Sequence, residues 1–139
     1  MPVVTKFISL ETEGNGDILD LTAEISNCIA DTNLMDGIAT IFSPSATSGI
    51  TTLEFEPGCV EDLKRLFDEI AAPNMIYAHN QLQGDGNGHS HVRAAIVKAS
   101  FTVPIVDGKM TLGTWQSIIL VDFDNRPRHR KLVVQVIGE

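Results

Sequence analysis

The chain is poor in cysteine, in basic residues and in long apolar runs, and each shortage removes a class of protein. Its two cysteines, Cys28 and Cys59, stand alone without a CxxC pair, which leaves a zinc ribbon or a thiol redox motif unsupported. No apolar run approaches the roughly 18 residues that a membrane-crossing helix needs. The N-terminal MPVVTKFISLETE has no basic region leading into an apolar stretch, so no signal peptide is read there. A cytoplasmic protein with reduced thiols and no membrane partner is therefore the expectation. Ten Lys and Arg against 18 Asp and Glu give a net charge of −8, which argues against a nucleic-acid partner because such binding rests on basic contacts to phosphates. The acidity is uneven. Residues 1–70 hold 13 acids and 3 bases, whereas residues 71–139 hold 5 acids and 7 bases.

What is present is a globular composition, 43% hydrophobic against 20% charged over 139 residues. That length makes one domain, residues 1–139, with enough chain to bury a core unaided. VVTKFISLET (Val3–Thr12) is β-branched and partly alternating, a strand pattern, and EGNGD is a turn. Leu21, Ile25, Cys28 and Ile29 fall at helical spacing, with Asp20 as N-cap. GIATIFS and GITTLEFE read as strands around the loop SPSATSG. Pro57-Gly58 ends the second, and CVEDLKRLFDEIA is an amphipathic helix with Val60, Leu63, Leu66, Phe67 and Ile70 on one face. Ala71–Ser90 reads as one long loop, a length usually tied to function or disorder. HVRAAIVKAS is a short helix capped by Ser90, and FTVPIV, KMTLGTW, SIILVDFD and KLVVQVIGE are further strands, with a hairpin turn at Asp107–Lys109. Strands that outnumber helices, without βαβ alternation, predict an α+β fold of mainly antiparallel sheet with two main helices.

The residues that can do chemistry gather in the long loop. GDGNGHSH (Gly84–His91) sets Asp85, Asn87, His89 and His91 at alternate positions. His89 and His91 would face one side if the backbone there is extended, and His79 lies ten residues upstream of His89. Three imidazoles and a carboxylate suit Zn²⁺ or a similar divalent ion. The spacing predicts a metal site of His79, His89 and His91, with Asp85 as ligand or supporting base; solvated loop histidines are the bland alternative. Calcium does not fit, since Asp85-x-Asn87 opens like an EF-hand loop but no glutamate closes it. GHSHV is not a nucleophile elbow, because Val92 stands where glycine is required. The glycines would free backbone N–H groups to cradle an anion. Arg128 and Arg130, two apart on a strand, suit bidentate phosphate contact, or else simply guard a sheet edge. Trp115 either stacks on a ligand ring beside Gln116 or packs in the core.

GHSH, the region of Pro104 and Gly108, LGTWQ and the Arg-rich closing strand together resemble the C-terminal half of the YjbQ-like family, and the likeness runs from Phe7 to Glu139. The resemblance implies a compact α+β domain with a β-sandwich, assembled as a homotrimer. Members are also described as secondary thiamine-phosphate synthases, transferases that join an aminopyrimidine diphosphate to a thiazole phosphate and release pyrophosphate. Carried over, His79, Asp85 and His91 would be catalytic with His89 beside them, and Trp115, Gln116, Arg128 and Arg130 would bind a small phosphorylated substrate. One departure stands out. Many members carry Pro-His-Thr after the strand that is Ile38–Phe42 here, whereas this chain reads SPSATS with Ser45 in the histidine's place. Such a reaction asks a site to neutralise a leaving group and to orient two partners; a divalent metal, Zn or Mg, is the expected cofactor, and no organic cofactor is. The same parts also fit a metal-dependent phosphoester hydrolase, or a non-enzymatic trimer whose loop binds metal or ligand.

Overall fold

The apolar run in SIILVD explains the layering of the molecule. A computed structural model describes residues 1–139. Its strands are β1 (Val3–Thr12), β2 (Asp17–Asp20), β3 (Gly37–Phe42), β4 (Ser48–Leu53), β5 (Ser100–Val106), β6 (Lys109–Met110), β7 (Ser117–Asp122) and β8 (Arg128–Gly138). Its helices are α1 (Thr22–Thr32), α2 (Pro57–Ile70), α3 (Ala78–Gln83) and α4 (Gly88–Val97). All strand pairs are antiparallel, in a five-stranded sheet ordered β1-β8-β3-β5-β6 and a three-stranded sheet ordered β2-β7-β4. The fold is the expected α+β sandwich.

β7 is central in the small sheet and buried on both faces, which is why it reads as continuous rather than alternating hydrophobicity. Ile118 and Leu120 point into the main core with Ile50, Ala39, Ile41, Val103, Val134, the α1 residues Ile25 and Ile29, and Leu21 just before that helix. Ile119, Val121 and the following Phe123 point the other way, into a second core with Phe67 of α2 and Ala94 of α4. The order of layers is thus large sheet, small sheet, then α2 and α4, with α1 packed into the main core. Gly49 lets α4 lie directly on β4, since a Cβ there would come within 2.6 Å of Val97.

Several local expectations change. Asp20 ends β2 instead of preceding α1, although its carboxylate still accepts from the Thr22 backbone N–H at 2.9 Å. Pro57 does not merely break a strand; it opens α2, whose N-cap Glu56 accepts from Gly58 and Cys59 N–H groups. Of the helix face expected there, Phe67 alone is fully buried, and Leu66 and Ile70 are exposed. KMTLGTW yields only the two-residue β6. Asp107 and Gly108 both have positive φ, 52° and 76°, as the expected hairpin requires. The largest change is the long loop: α3 occupies Ala78–Gln83 and α4 already begins at Gly88, so only Gly84–Asn87 connects them. Ser90 does not cap α4. It lies inside the helix, fully buried, its hydroxyl 2.6 Å from the Phe123 carbonyl and 2.8 Å from Asn87 Oδ1.

A buried ion network closes the end of the sandwich where β7 and β8 meet. Arg130 grips Asp122 in two hydrogen bonds, Nε to Oδ2 at 2.7 Å and an Nη to Oδ1 at 2.9 Å. Its remaining donors reach Ser45 Oγ at 2.9 Å and Thr47 Oγ1 at 2.8 Å. Thr12 Oγ1 donates to Asp122 at 2.6 Å. Asp122 and Asp124 are wholly buried. Removing one partner of such a pair leaves a desolvated charge, so Arg130→Met should lower the unfolding free energy by about 3–5 kcal/mol. Urea denaturation measures this, and a loss below about 1 kcal/mol would show that the network does not hold the sandwich end.

Candidate metal centre

The helical start at Gly88 decides which histidines meet. Two positions along an α-helix are about 200° apart around its axis, so His89 and His91 leave α4 on different sides. His91 faces outward beside α3. Its ring packs edge-on to that of His79, with centroids 4.5 Å apart. His79 Nε2 lies 2.8 Å from Asp85 Oδ1. His79, Asp85 and His91 each offer a ligand atom, all within 4.8 Å of one another, and the group is partly open to solvent.

Each side chain has a reason to be where it is. His79 rides on the first turn of α3. The α3–α4 turn folds Asp85 back, and its carboxylate accepts from the Asn87 backbone N–H at 3.0 Å. Asn80 Oδ1 takes the first free N–H of α4, from Gly88, at 2.9 Å. His91 Nδ1 is 3.0 Å from the Ala46 carbonyl, so it is the protonated nitrogen, and Nε2 carries the lone pair. That second-nitrogen anchor is what metal-ligating histidines commonly have. The Asn87 N–H, then His79, hold the Asp85 carboxyl below its usual range, so it stays ionised at neutral pH, the state in which a carboxylate can bind a cation. Around a tetrahedral ion at ~2.0–2.1 Å, ligand atoms stand about 3.3 Å apart. His79 and Asp85 stand closer than that, at 2.8 Å, and the whole group lies within 4.8 Å, so it fits a divalent cation after side-chain shifts.

The structure does not bring His89 into this group, because the backbone is helical where an extended segment was expected. His89 is only 5% exposed, its Nδ1 has no hydrogen-bond partner, and Nε2 is 3.4 Å from Ser90 Oγ. Burial, reinforced by the nearby Arg93 charge, pushes its imidazole pKa down. Arg130 is likewise turned inward, with four of its five N–H donors held by Asp122, Ser45 and Thr47. Arg128 uses Nε on Asp124 Oδ2, 2.9 Å away, and keeps its outer nitrogens free. Trp115 and Gln116 stand apart. Trp115 is 74% exposed rather than core, and Gln116 reaches Thr52 Oγ1 at 3.3 Å. In the β4–β7 register Leu53 opposes Ser117 at their end and Ser48 opposes Asp122 at the other, which separates them from the histidines by about 17 Å of strand. Ser45 lines a cleft of about 360 Å³ together with Ala46, His91 and Lys98. Its hydroxyl accepts from Arg130 at 2.9 Å, so Ser45 serves the frame.

Sequence reasoning missed the support of the site: Asp122, Asp124 and Asn87. Asp124 accepts from Arg128, from Thr47 at 3.1 Å and from Asn87 Nδ2 at 3.3 Å. Burial alone would raise its pKa, but the hydrogen bonds of Arg128, Thr47 and Asn87 prevail and hold it low. The signal was there in VDFD, two acids inside an apolar strand, which demands buried partners.

An α+β sandwich with a polar centre at one end defines the class, and the comparisons make it specific. The sequence model of the family described as UPF0047 protein YjbQ-like matches residues 6–139. A UPF0047 protein of Methanothermobacter thermautotrophicus is 34% identical over 100% of this chain and 95% of its own length. YugU, a UPF0047 protein of Bacillus subtilis, is 31% identical over 96% of this chain and 98% of its own. Among solved structures, a YbjQ-like protein of unknown function from Sulfolobus solfataricus superposes with TM-score 0.90 at 28% identity, covering 99% of this chain and 100% of that one. A YjbQ/UPF0047 protein from Clostridium acetobutylicum gives 0.87 at 32% identity, covering 95% and 99%. The chain belongs to the YjbQ-like UPF0047 family.

The depressed His89 pKa has a testable sign. The unfolded chain takes up a proton as pH falls through about 6.5, where the folded protein resists it. Stability from neutral His89 is therefore full above that pH and declines below it, by up to about 1.4 kcal/mol per pH unit. His89→Gln should remove this component from the pH dependence of urea unfolding; identical slopes in the two proteins would contradict the assignment.

Proposed function

We propose that this protein is a metal-dependent phosphoester hydrolase, with His79, Asp85 and His91 holding one divalent cation, zinc by the chemistry of the donor set. The observation that carries the reading is the gathering of two imidazoles and an ionised carboxylate at an open surface, with clefts on both sides. Three protein ligands leave a coordination position vacant, the arrangement of catalytic rather than structural zinc. A cation there supplies Lewis-acid charge to a phosphoryl oxygen. Asp85 and the two imidazoles hold that charge in place, and the Ala46 carbonyl fixes the tautomer and orientation of His91. Hydrolysis adds water across a P–O ester bond, leaving phosphate and an alcohol. The cleft of Ser45, Ala46, Ser48, Ala94, Ala95 and Ala99 beside His91 gives room for a small organic group.

Thiamine-phosphate synthesis is the second reading. It needs a second organic substrate held near the first, and Trp115 and Gln116, the groups suited to hold it, lie at the far end of β4 and β7 in the same chain. Untagged protein incubated with zinc and dialysed should retain about one metal per chain by elemental analysis, falling below about 0.1 in His79→Ala and His91→Ala while His89→Gln keeps it. Incubation with aminopyrimidine diphosphate, with and without thiazole phosphate, then separates the reactions. Phosphate or pyrophosphate released without thiazole supports hydrolysis, and thiamine phosphate formed only with both supports the synthase. Neither product above the His79→Ala background would leave a metal-binding protein without catalysis.

The homotrimer belongs to the same proposal. The outer face of the large sheet is uncovered and sorted into rows by register: Val3, Ile137, Ile38 and Pro104 in one, Phe7, Val133 and Phe42 in another. Val3, Phe7, Ile38, Phe42 and Ile137 are all exposed on it, on either side of a polar row of Thr5, Gln135, Thr40 and Thr102, and a face this rich in exposed apolar side chains marks an association site. Light scattering should give about 45 kDa, three chains of 15.1 kDa. Phe7→Asp with Phe42→Asp should give the monomer, and His91→Ala should leave the mass unchanged if the histidines serve chemistry rather than assembly.

A further inference from the structure

On its other side the metal centre borders a small cleft of about 320 Å³ lined by Asp85, Asn87, Asn125, Arg126 and Arg128, with no apolar residue among them. We propose that this cleft is the seat of the substrate's phosphoryl group, with Arg126 and Arg128 as its ligands. The inference rests on the hydrolase reading and adds a binding subsite and a substrate class to it.

The walls of the cleft are fixed by hydrogen bonds that do not consume its cationic groups. Asn125 Nδ2 donates to the Asp85 carbonyl at 2.9 Å, and the Asn125 backbone N–H donates to Asn87 Oδ1 at 3.1 Å. These two bonds lock the turn after β7 onto the turn between α3 and α4. Asn15 N–H on the Asp124 carbonyl, at 2.7 Å, braces the same turn from the β1–β2 side. Arg128 is anchored through Nε alone, on Asp124 Oδ2 at 2.9 Å. Its two outer nitrogens therefore project as a fixed fork, the geometry that matches a phosphate edge. Arg126 is exposed at the mouth, paired with no carboxylate of the protein.

Asp85 supplies the coupling between cleft and metal. The same carboxylate lines the cleft and belongs to the His79–Asp85–His91 group. Without a cation its negative charge opposes an anion between the arginines; with one, that charge is more than neutralised and the cation lies against the anion. Phosphate binding here is thus favoured by metal. The volume is at the lower end of ligand pockets, about 300–1,000 Å³, so it suits a single phosphoryl group or the end of a diphosphate rather than a whole nucleotide. The organic remainder is directed across the centre to the cleft beyond His91. Substrates of this class are small phosphate monoesters or diphosphates with a compact organic part.

Inorganic phosphate is the probe, titrated calorimetrically into zinc-loaded and EDTA-treated protein. Arg126→Gln removes an unpaired exposed charge and leaves the fold intact; Arg128→Lys keeps a cation for Asp124 while removing the fork. Wild-type protein should bind phosphate at least tenfold more tightly with zinc than without. Each variant should lose tenfold or more in phosphate affinity while retaining zinc and the circular dichroism of the wild type. Phosphate bound equally by wild type, Arg126→Gln and Arg128→Lys would overturn the subsite and leave the metal centre standing. Arginine-dependent phosphate binding in a protein that takes up no zinc would keep the subsite and remove the hydrolase reading.

Discussion

The pairing of Arg130 with Asp122 inside the protein is the constraint from which the rest of the site follows. β8 belongs to the large sheet and β7 to the small one, so this ion pair joins the two halves of the sandwich at one end. Ser45 and Thr47 bring the β3–β4 connection to the same guanidinium, and Thr12 brings the end of β1 to the same carboxylate. Isolated charges would not survive there; desolvation costs several kcal/mol per ion unless geometry and further hydrogen bonds offset it. These donors converge for that reason, and four separate stretches of chain are fixed as a result.

Asp124 extends the constraint to the chemistry. Two residues beyond Asp122, it receives Arg128, Thr47 and Asn87. Asn87 stands between Asp85 and α4, so a wholly buried carboxylate sets the position of a largely exposed one. The two histidines of GHSH divide the labour. His89 is turned inward against Arg93, which itself donates to the Ala71 carbonyl at 2.9 Å and to Asp68 at 3.1 Å. His91 is turned outward, oriented through Ala46. One helical step of two residues separates a packing histidine from one presented at the surface beside His79 and Asp85.

Much of this was legible from sequence where burial is one-sided or complete. The helix face of Leu21, Ile25 and Ile29, the strand Val3–Thr12 and the apolar run at β7 all appear where the periodicity places them. The cluster of His79, Asp85 and His91 was visible as a density of ligand types. What failed was the conformation between them. α3 buries none of its residues, so it lacks an apolar stripe, and the alternating glycines mimic an irregular loop through the start of α4. Extended spacing therefore paired His89 with His91, and helical geometry parts them. Arg128 and Arg130 failed in another way: on one strand face they look equivalent, and only their partners across the β7–β8 turn, Asp124 and Asp122, set one at the cleft and the other in the frame. Arg126, on a turn, had no periodicity to betray it.

Strand β7 reaches its neighbours across wide gaps in sequence, pairing residues 119–122 with 17–20 and residues 117–122 with 48–53. Its amides, covered by a layer on each side, can exchange with solvent only when the whole molecule opens. Closing such distant pairings is slow, and the turn that carries Asn125 and Arg126 emerges directly from this strand. The turn that carries Asn125 is accordingly part of the molecule's last cooperative unit to unfold, whereas α3, which buries no residue, is free to open earlier. Heat or denaturant should therefore loosen His79 before it releases Asn87 and Arg128, whose partner Asp124 lies just beyond the buried strand.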